Sequence, residues 1–465
     1  MSDPASYAAR FVALLDAQGI AYAVTGPAGL RPQDLDDDVD IVVLADAVPQ
    51  MGRLVSRFCE EQNGLLVNVL EHAPGARCFV CAWSDGDTLA CLRLDISGDC
   101  IRGGRRLMRA DEILDGRVRD AAGTAWVPAP AREFASLLVK KVDQQVLNHR
   151  TAAHLSVQWH SDAAGAAAQA AHFWAGPDLE LVARAAATGD WHRVRARLPG
   201  LRRALRSRMP RQVRHRTADL ARVWRRLSDP TGLVVALLGP DGSGKTTLME
   251  RCVPRLAPIF RRAYCHHFKP NVLGVTLPGP AGSGRTLPGP RPGWSLIPLA
   301  KLVYYLFDYW VGYGWKVWPR VVRSALVVFD RYFDDLGIDP VRLRRRGPMA
   351  LAKRLSRLVP QPELCILLDA PTAITQARKR DVPPEETARQ RAAFLTLVRG
   401  RGAARVVDGS QPVDEVVRDV ERIILDHLAR RTARRLGVAP ATRTTDRQAA
   451  VRSPWTAESA SRSAE

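Results

Sequence analysis

The sequence predicts an α/β protein: a C-terminal doubly wound parallel-sheet domain, preceded by an α+β domain and a helical middle segment. Three observations carry this. The apolar run LVVALLG from Leu233 is followed at once by a glycine-rich turn and a helical pattern, Thr246 to Leu256. Later apolar strands at Ala325 to Phe329, Leu364 to Leu368 and Ala404 to Val407 alternate with helical periodicity, as βαβ units do. The first hundred residues instead alternate short apolar runs with turn residues.

In chain order, Tyr7 to Ala17 and Val48 to Gln62 have helical spacing. Tyr22 to Thr25, Val39 to Leu44, Leu65 to Leu70, Arg77 to Trp83 and Leu89 to Ile96 have strand character, which gives an α+β domain over residues 1–129. Residues 130–230 are helical, with an Ala-rich centre and an Arg-rich run from Leu201 to Pro230. Pro230-Thr231-Gly232 punctuates the chain, and the parallel-sheet domain occupies residues 231–430. Thr276 to Gly293 is too rich in Pro and Gly for an element interior and is expected to be a flexible surface loop. Residues 431–465 are expected to form a disordered basic tail. Ser295 to Pro319 is apolar but interrupted by Lys301, Asp308 and Lys316, so it is expected to be a buried helix pair and not a membrane span.

A chain of 465 residues exceeds one hydrophobic core, and 46% hydrophobic with 25% charged residues excludes global disorder. The net charge of +20 points to partners that carry phosphate or another anionic surface. These are a small phosphorylated substrate and, through the Arg-rich segment, an anionic membrane surface or nucleic acid; a solvated basic helix is the bland alternative. A homodimer is compatible with the sequence. Eight cysteines make no disulfide scaffold in a chain this long, and no signal peptide precedes the first helix, so a reducing, cytoplasmic location is expected. Cys78 and Cys81 lie three apart on a strand and point to opposite faces, which with Cys91 and Cys100 favours burial over zinc.

Gly239-Pro240-Asp241-Gly242-Ser243-Gly244-Lys245-Thr246 fits G-x-x-x-x-G-K-[ST] in its required place between strand and helix. Glycines let backbone N–H groups curl around a phosphate, and the helix N-terminus adds partial positive charge. Lys245 neutralises phosphate oxygens, Thr246 ligates Mg²⁺, and Thr247 is expected to bind the cofactor with them. Asp330 ends an apolar strand where a carboxylate can hold the Mg²⁺ water shell, and Arg331 follows at the carboxyl edge of the sheet. Arg378-Lys379-Arg380 sits where a basic lid could close over a transferring phosphoryl group, giving Arg378 and Arg380 a catalytic role beside Lys245 and Arg331.

Together GPDGSGKTT, Asp330-Arg331-Tyr332, the basic lid and VVDGS resemble the thymidylate kinase-like branch of nucleoside monophosphate kinases, over roughly residues 231 to 428. The resemblance implies ATP and Mg²⁺ as cofactors. It also implies that Asp241 contacts the acceptor's sugar hydroxyl and Arg331 its phosphate. Where the family has a further acceptor-phosphate arginine, this chain offers Lys269, a point charge in place of a bidentate fork. The insertion from Pro270 to Trp294 and the two preceding segments look more like thymidylate kinase-like proteins linked to bacterial surface-polysaccharide biosynthesis.

Near the N-terminus, Asp38 and Asp40 lie two apart at a strand start and share a face, and Asp95 adds a third carboxylate from a neighbouring strand. This resembles the nucleotidyltransferase fold, in which such carboxylates bind metal, so a second metal site is expected at Asp38, Asp40 and Asp95. Thr25-Gly26-Pro27-Ala28-Gly29 stands where that family has a glycine-serine turn. The leading expectation is an ATP- and Mg²⁺-dependent phosphotransferase acting on a nucleoside monophosphate or related small phosphorylated acceptor. The alternatives are a bifunctional or regulatory protein whose P-loop domain is an ATP-driven switch, and a basic binder of nucleic acid or membrane surfaces.

Overall fold

The structure is a computed structural model that describes residues 4–27, 29–30, 38–85, 88–271, 297–339, 349–380 and 382–439. The expected loop from Thr276 to Gly293 lies outside the described residues, as do residues 440–465 of the expected tail. The described residues divide into two compact units, one within Met1–Ser84, Ala90–Arg216 and Asp426–Glu465, the other within Asp85–Leu89 and Thr217–Leu425.

The first unit opens with α1 (Pro4–Ala17), β1 (Tyr22–Thr25), β2 (Val39–Val43) and α2 (Met51–Glu61). Three long strands follow, β3 (Leu65–Ala73), β4 (Ala76–Ser84) and β5 (Leu89–Ser97), and the sheet order is β1-β2-β5-β4-β3. It is a mixed sheet: β1 runs antiparallel to β2, β2 parallel to β5, and β3 antiparallel to β4. One face packs on α1 and α2, whose Phe11, Leu15, Val55 and Phe58 recur at helical spacing and are buried with Tyr22, Ile41, Phe79 and Leu94.

Two small hairpins, β6 (Cys100–Arg102) with β7 (Arg105–Met108) and β8 (Val118–Arg119) with β9 (Trp126–Val127), flank α3 (Ala110–Leu114). Then come α4 (Pro130–Gln144), α5 (His149–Ser161), α6 (Ala163–Ala171), α7 (Pro177–Thr188) and α8 (His192–Arg208). Local signals set their ends. Pro130 opens α4, Asn148 and Asp162 cap the backbone N–H groups of Thr151 and Gly165, and Gly189 stops α7 in a left-handed conformation. Phe134, Leu138, Trp159, Trp174 and Trp191 form a core that also takes in Ala23 and Val42 of the sheet. The helical middle segment is therefore continuous with the α+β part. The division between units falls inside α9 (Val213–Ser228), whereas the sequence pattern changes at Pro230.

The second unit holds a five-stranded sheet. Its members are β10 (Leu233–Leu238), which leads into α10 (Lys245–Leu256), then β11 (Ala263–His267), α11 (Ile297–Gly312), α12 (Trp318–Val322), β12 (Leu326–Asp330) and α13 (Met349–Leu355). It is completed by β13 (Leu364–Asp369), α14 (Thr372–Arg378), α15 (Pro384–Arg399), β14 (Ala404–Asp408) and the first part of α16 (Val413–Leu436), whose residues from Asp426 onward belong to the first unit. The order is β11-β12-β10-β13-β14 and every pairing is parallel, as the βαβ rhythm predicts. The central strand β10 is buried at all six positions.

Two expectations need correcting. Ser295 to Pro319 is no buried helix pair: among the described residues α11 runs through a π-helical turn at Tyr313–Val317 into α12, and only one face is covered. Leu302, Tyr305 and Tyr309 pack inward, while Leu299, Val303, Phe307 and Trp310 stay exposed. Residues 431–436, expected to be disordered, are the last turns of α16, held because Thr432 Oγ1 donates to the Val67 carbonyl at 2.9 Å and Ala433 is buried.

Candidate functional site

The site in the second unit is built at the carboxyl ends of β10 and β12. The turn after β10 is forced by its glycines: Gly239, Gly242 and Gly244 have φ of +139°, +83° and +94°. Space demands them as well. A Cβ on Gly239 would lie 2.8 Å from the Leu368 carbonyl oxygen, and one on Gly242 would lie 2.7 Å from that of Thr375. The loop is thus clasped between the end of β13 and α14. Lys245 is buried, and its Nζ donates to the carbonyls of Gly239 and Pro240, each at 2.8 Å, and to Ser243 Oγ at 3.2 Å. The ammonium sits inside the loop, against its own carbonyls, at the N-terminus of α10, where partial positive charge favours an anion. Thr246 and Thr247 are exposed on that first turn.

Parallel pairing places Asp330 opposite Leu237, one residue short of the end of β10. Its Oδ2 lies 3.1 Å from His267 Nδ1, its register partner on β11. Arg331 follows with a left-handed φ of +74°, unusual for a side-chain-bearing residue, and this aims its guanidinium back toward the loop. There Arg331 Nη2 donates to Asp241 Oδ1 and Nη1 to Asp335 Oδ2 at 3.1 Å. The arginine is 7% exposed and Asp335 fully buried. Asp241 and Arg331, both expected at the acceptor, are therefore brought together.

Lys269 lies beyond β11, its Nζ donating to Tyr304 Oη at 2.7 Å and resting 4.5 Å from the centre of that ring. Arg378 Nη1 donates to the Gly409 carbonyl at 2.9 Å, beside the loop, while Arg380 is exposed. The Arg378–Arg380 cluster is thus tied to the VVDGS turn through its first arginine. The residues fit Mg²⁺: Thr246 offers an accessible hydroxyl and Asp330 a carboxylate, and this ion takes most of its ligands from water and phosphate oxygens. His267 and Asp335, which hold Asp330 and Arg331, were missed in the sequence. The only available signal for Asp335 was its position four residues after Arg331. Arg391, bidentate to Asp369 at 2.6 and 2.8 Å, was also missed.

In the first unit, Asp40 and Asp95 are register partners on β2 and β5. Lys140 of α4 donates to both oxygens of Asp40, at 2.9 and 3.0 Å, and Arg93 lies 3.2 Å from Asp38. Burial and the neighbouring Asp40 push Asp95 up to about 7. The Gly26 amide, in the segment that stands where the nucleotidyltransferase fold has a glycine-serine turn, donates to the buried Glu133 at 2.6 Å. Lys140 and Arg93 thus occupy carboxylate oxygens of Asp40 and Asp38 that the expected second metal site would use. Among the described residues no group of three or more His, Cys, Asp or Glu is placed to hold a metal ion.

No family model matches the chain. A thymidylate kinase from Xanthomonas euvesicatoria is 29% identical over 213 residues, covering 43% of this chain and 87% of that protein. A probable thymidylate kinase from Pyrobaculum aerophilum is 27% identical over 202 residues, 41% of this chain and 95% of that one. Among solved structures, a thymidylate kinase from Ehrlichia chaffeensis aligns at 16% identity and a TM-score of 0.29, over 42% of this chain and 99% of that one. Over about 43% of its length the chain is homologous to thymidylate kinases, and this supports a nucleotide kinase-like enzyme in that part.

Proposed function

We propose that residues 231–430 form an ATP- and Mg²⁺-dependent phosphotransferase that moves the γ-phosphoryl group to a nucleoside monophosphate or a related small phosphorylated acceptor. The observation that carries this reading is the joining of Arg331 to Asp241. It sets the residue suited to an acceptor phosphate against the loop suited to the donor phosphates. Asp335 fixes the far edge of the guanidinium, so the edge facing Asp241 is the one that exchanges a carboxylate for an acceptor phosphate. Lys245 and the loop amides bind the donor phosphates, and Thr246 and Asp330 hold the metal. Mg²⁺ held by these two residues would supply charge neutralisation for the donor phosphates. Arg378, anchored on Gly409, supplies positive charge from the lid. Lys269, held on Tyr304, offers a second charge to the acceptor.

The test is a transfer assay with labelled ATP and a panel of dTMP, other nucleoside monophosphates and sugar phosphates. The reading predicts label on at least one acceptor, lost in Lys245→Ala. ATP hydrolysis with no labelled acceptor contradicts it and favours an ATP-driven switch.

A further inference from the structure

The helix α9 is amphipathic in the wrong sense for a soluble protein. Leu220, Trp224 and Leu227, spaced i, i+4, i+7 on one stripe, are 67%, 71% and 44% exposed, with Val223 beside them. The polar residues Asp219, Arg222 and Arg226 are the half-buried ones. Arg222 Nη2 donates to Asp219 Oδ1 at 2.7 Å, and Arg226 Nε to the Val322 carbonyl at 2.7 Å. A helix normally turns its apolar stripe to the core, and this one turns it to solvent.

Its surroundings are strongly basic. Burial, with Arg261, Arg222 and Arg323 nearby, lowers the pKa of Arg226, so several guanidiniums crowd one end of the helix. Arg225 is exposed on the flank of the apolar stripe. No helix among the described residues is long and apolar enough to cross a membrane, so an apolar stripe beside basic residues suits the plane of an interface.

We propose that α9 docks the protein on an anionic lipid surface, with Leu220, Trp224 and Leu227 entering the headgroup boundary and the surrounding arginines meeting lipid phosphates. Charge complementarity selects an anionic surface, and the apolar stripe selects lipid over nucleic acid. A nucleic acid needs only the exposed arginines, such as Arg216 and Arg225, and leaves the exposed Leu220, Trp224 and Leu227 between them without an apolar partner. Tryptophan is the residue expected at such a boundary, apolar in body with one polar N–H. This surface is independent of the phosphate-binding loop, so the proposal stands or falls separately from the kinase reading.

The experiment is flotation of the full chain with vesicles of phosphatidylcholine alone and of phosphatidylcholine mixed with phosphatidylglycerol. The wild type is expected to float with the mixed vesicles and to remain behind with the neutral ones. Leu220→Ser combined with Trp224→Ser is expected to reduce binding roughly tenfold or more. Arg225→Gln alone is expected to reduce it about fivefold. Both variants should keep the wild-type circular dichroism and ATP affinity, since neither touches the core or the loop. Equal flotation of wild type and double variant overturns the proposal. So does salt-sensitive DNA retention without flotation, which makes nucleic acid the partner. A wild-type dimer that becomes monomeric in the double variant without any flotation makes the stripe a contact between copies and equally overturns it.

Discussion

Arg331 bridges Asp241 in the phosphate loop and Asp335 on its own segment, so one guanidinium ties the end of β12 to the turn after β10. Removing it strands a carboxylate that has no solvent exposure. Arg331→Ala is expected to destabilise the second unit by about 3–5 kcal/mol, read from denaturant unfolding. Asp241→Asn keeps the side-chain volume and is the gentler probe. It should raise the acceptor KM while ATP affinity stays within about twofold, since only the acceptor side loses a charge.

Gly242→Ala tests the clasp around the loop. The new Cβ meets the Thr375 carbonyl oxygen at 2.7 Å on a backbone with φ +83°, and neither can be relieved by a side-chain rotation. The substitution is expected to cost about 1–3 kcal/mol and to weaken ATP binding, as measured by thermal melting with and without nucleotide.

His266 gives a pH signature. Burial, with Arg320 and Lys316 nearby, pushes its pKa down to about 4 from 6.5. In the fold it is neutral and accepts from Arg320 Nη1 at 2.7 Å while stacking on Phe329. As pH falls from about 6.5 to about 4 the unfolded chain binds this proton and the folded one does not, so stability is lost across that window. His266→Gln preserves an acceptor for Arg320 and has no proton to gain. Melting curves at about pH 7.5 and about pH 5 should show a smaller loss in the variant than in the wild type.

The parallel sheet was legible because β10, β12 and β13 are continuous apolar runs, which only strands buried on both faces need. Strand β11 was not, since AYCHH is an edge strand with exposed Cys265 and His267 and carries no apolar run. For α11, composition showed a helix but could not show which face would be covered, and the expectation of full burial failed on Leu299, Val303, Phe307 and Trp310. The last turns of α16 were hidden by their arginines, although Ala429 and Ala433 are buried at one-turn spacing. Lys245, Asp241, Asp330 and Arg331 were legible from motif and position. Their holders, His267 and Asp335, and the salt bridge of Lys140 to Asp40 one hundred residues away, depend on tertiary packing and leave no local pattern.

That distant bridge can be tested alone. Lys140→Met removes the cation from Asp40 and leaves it facing Asp95. The variant is expected to lose about 1.5–3 kcal/mol, read by chemical denaturation of the full chain. Asp40→Asn in the same background should recover part of that loss, because the like-charge contact is then gone.

Donor binding depends on Lys245 and the loop that encloses its ammonium. Titration calorimetry of the full chain with ATP and Mg²⁺, beside the Lys245→Ala variant at matched circular dichroism, addresses it most directly. The predicted result is one saturable site in the wild type, weakened roughly tenfold or more in the variant. No binding to the wild type, or equal binding to both proteins, would contradict it.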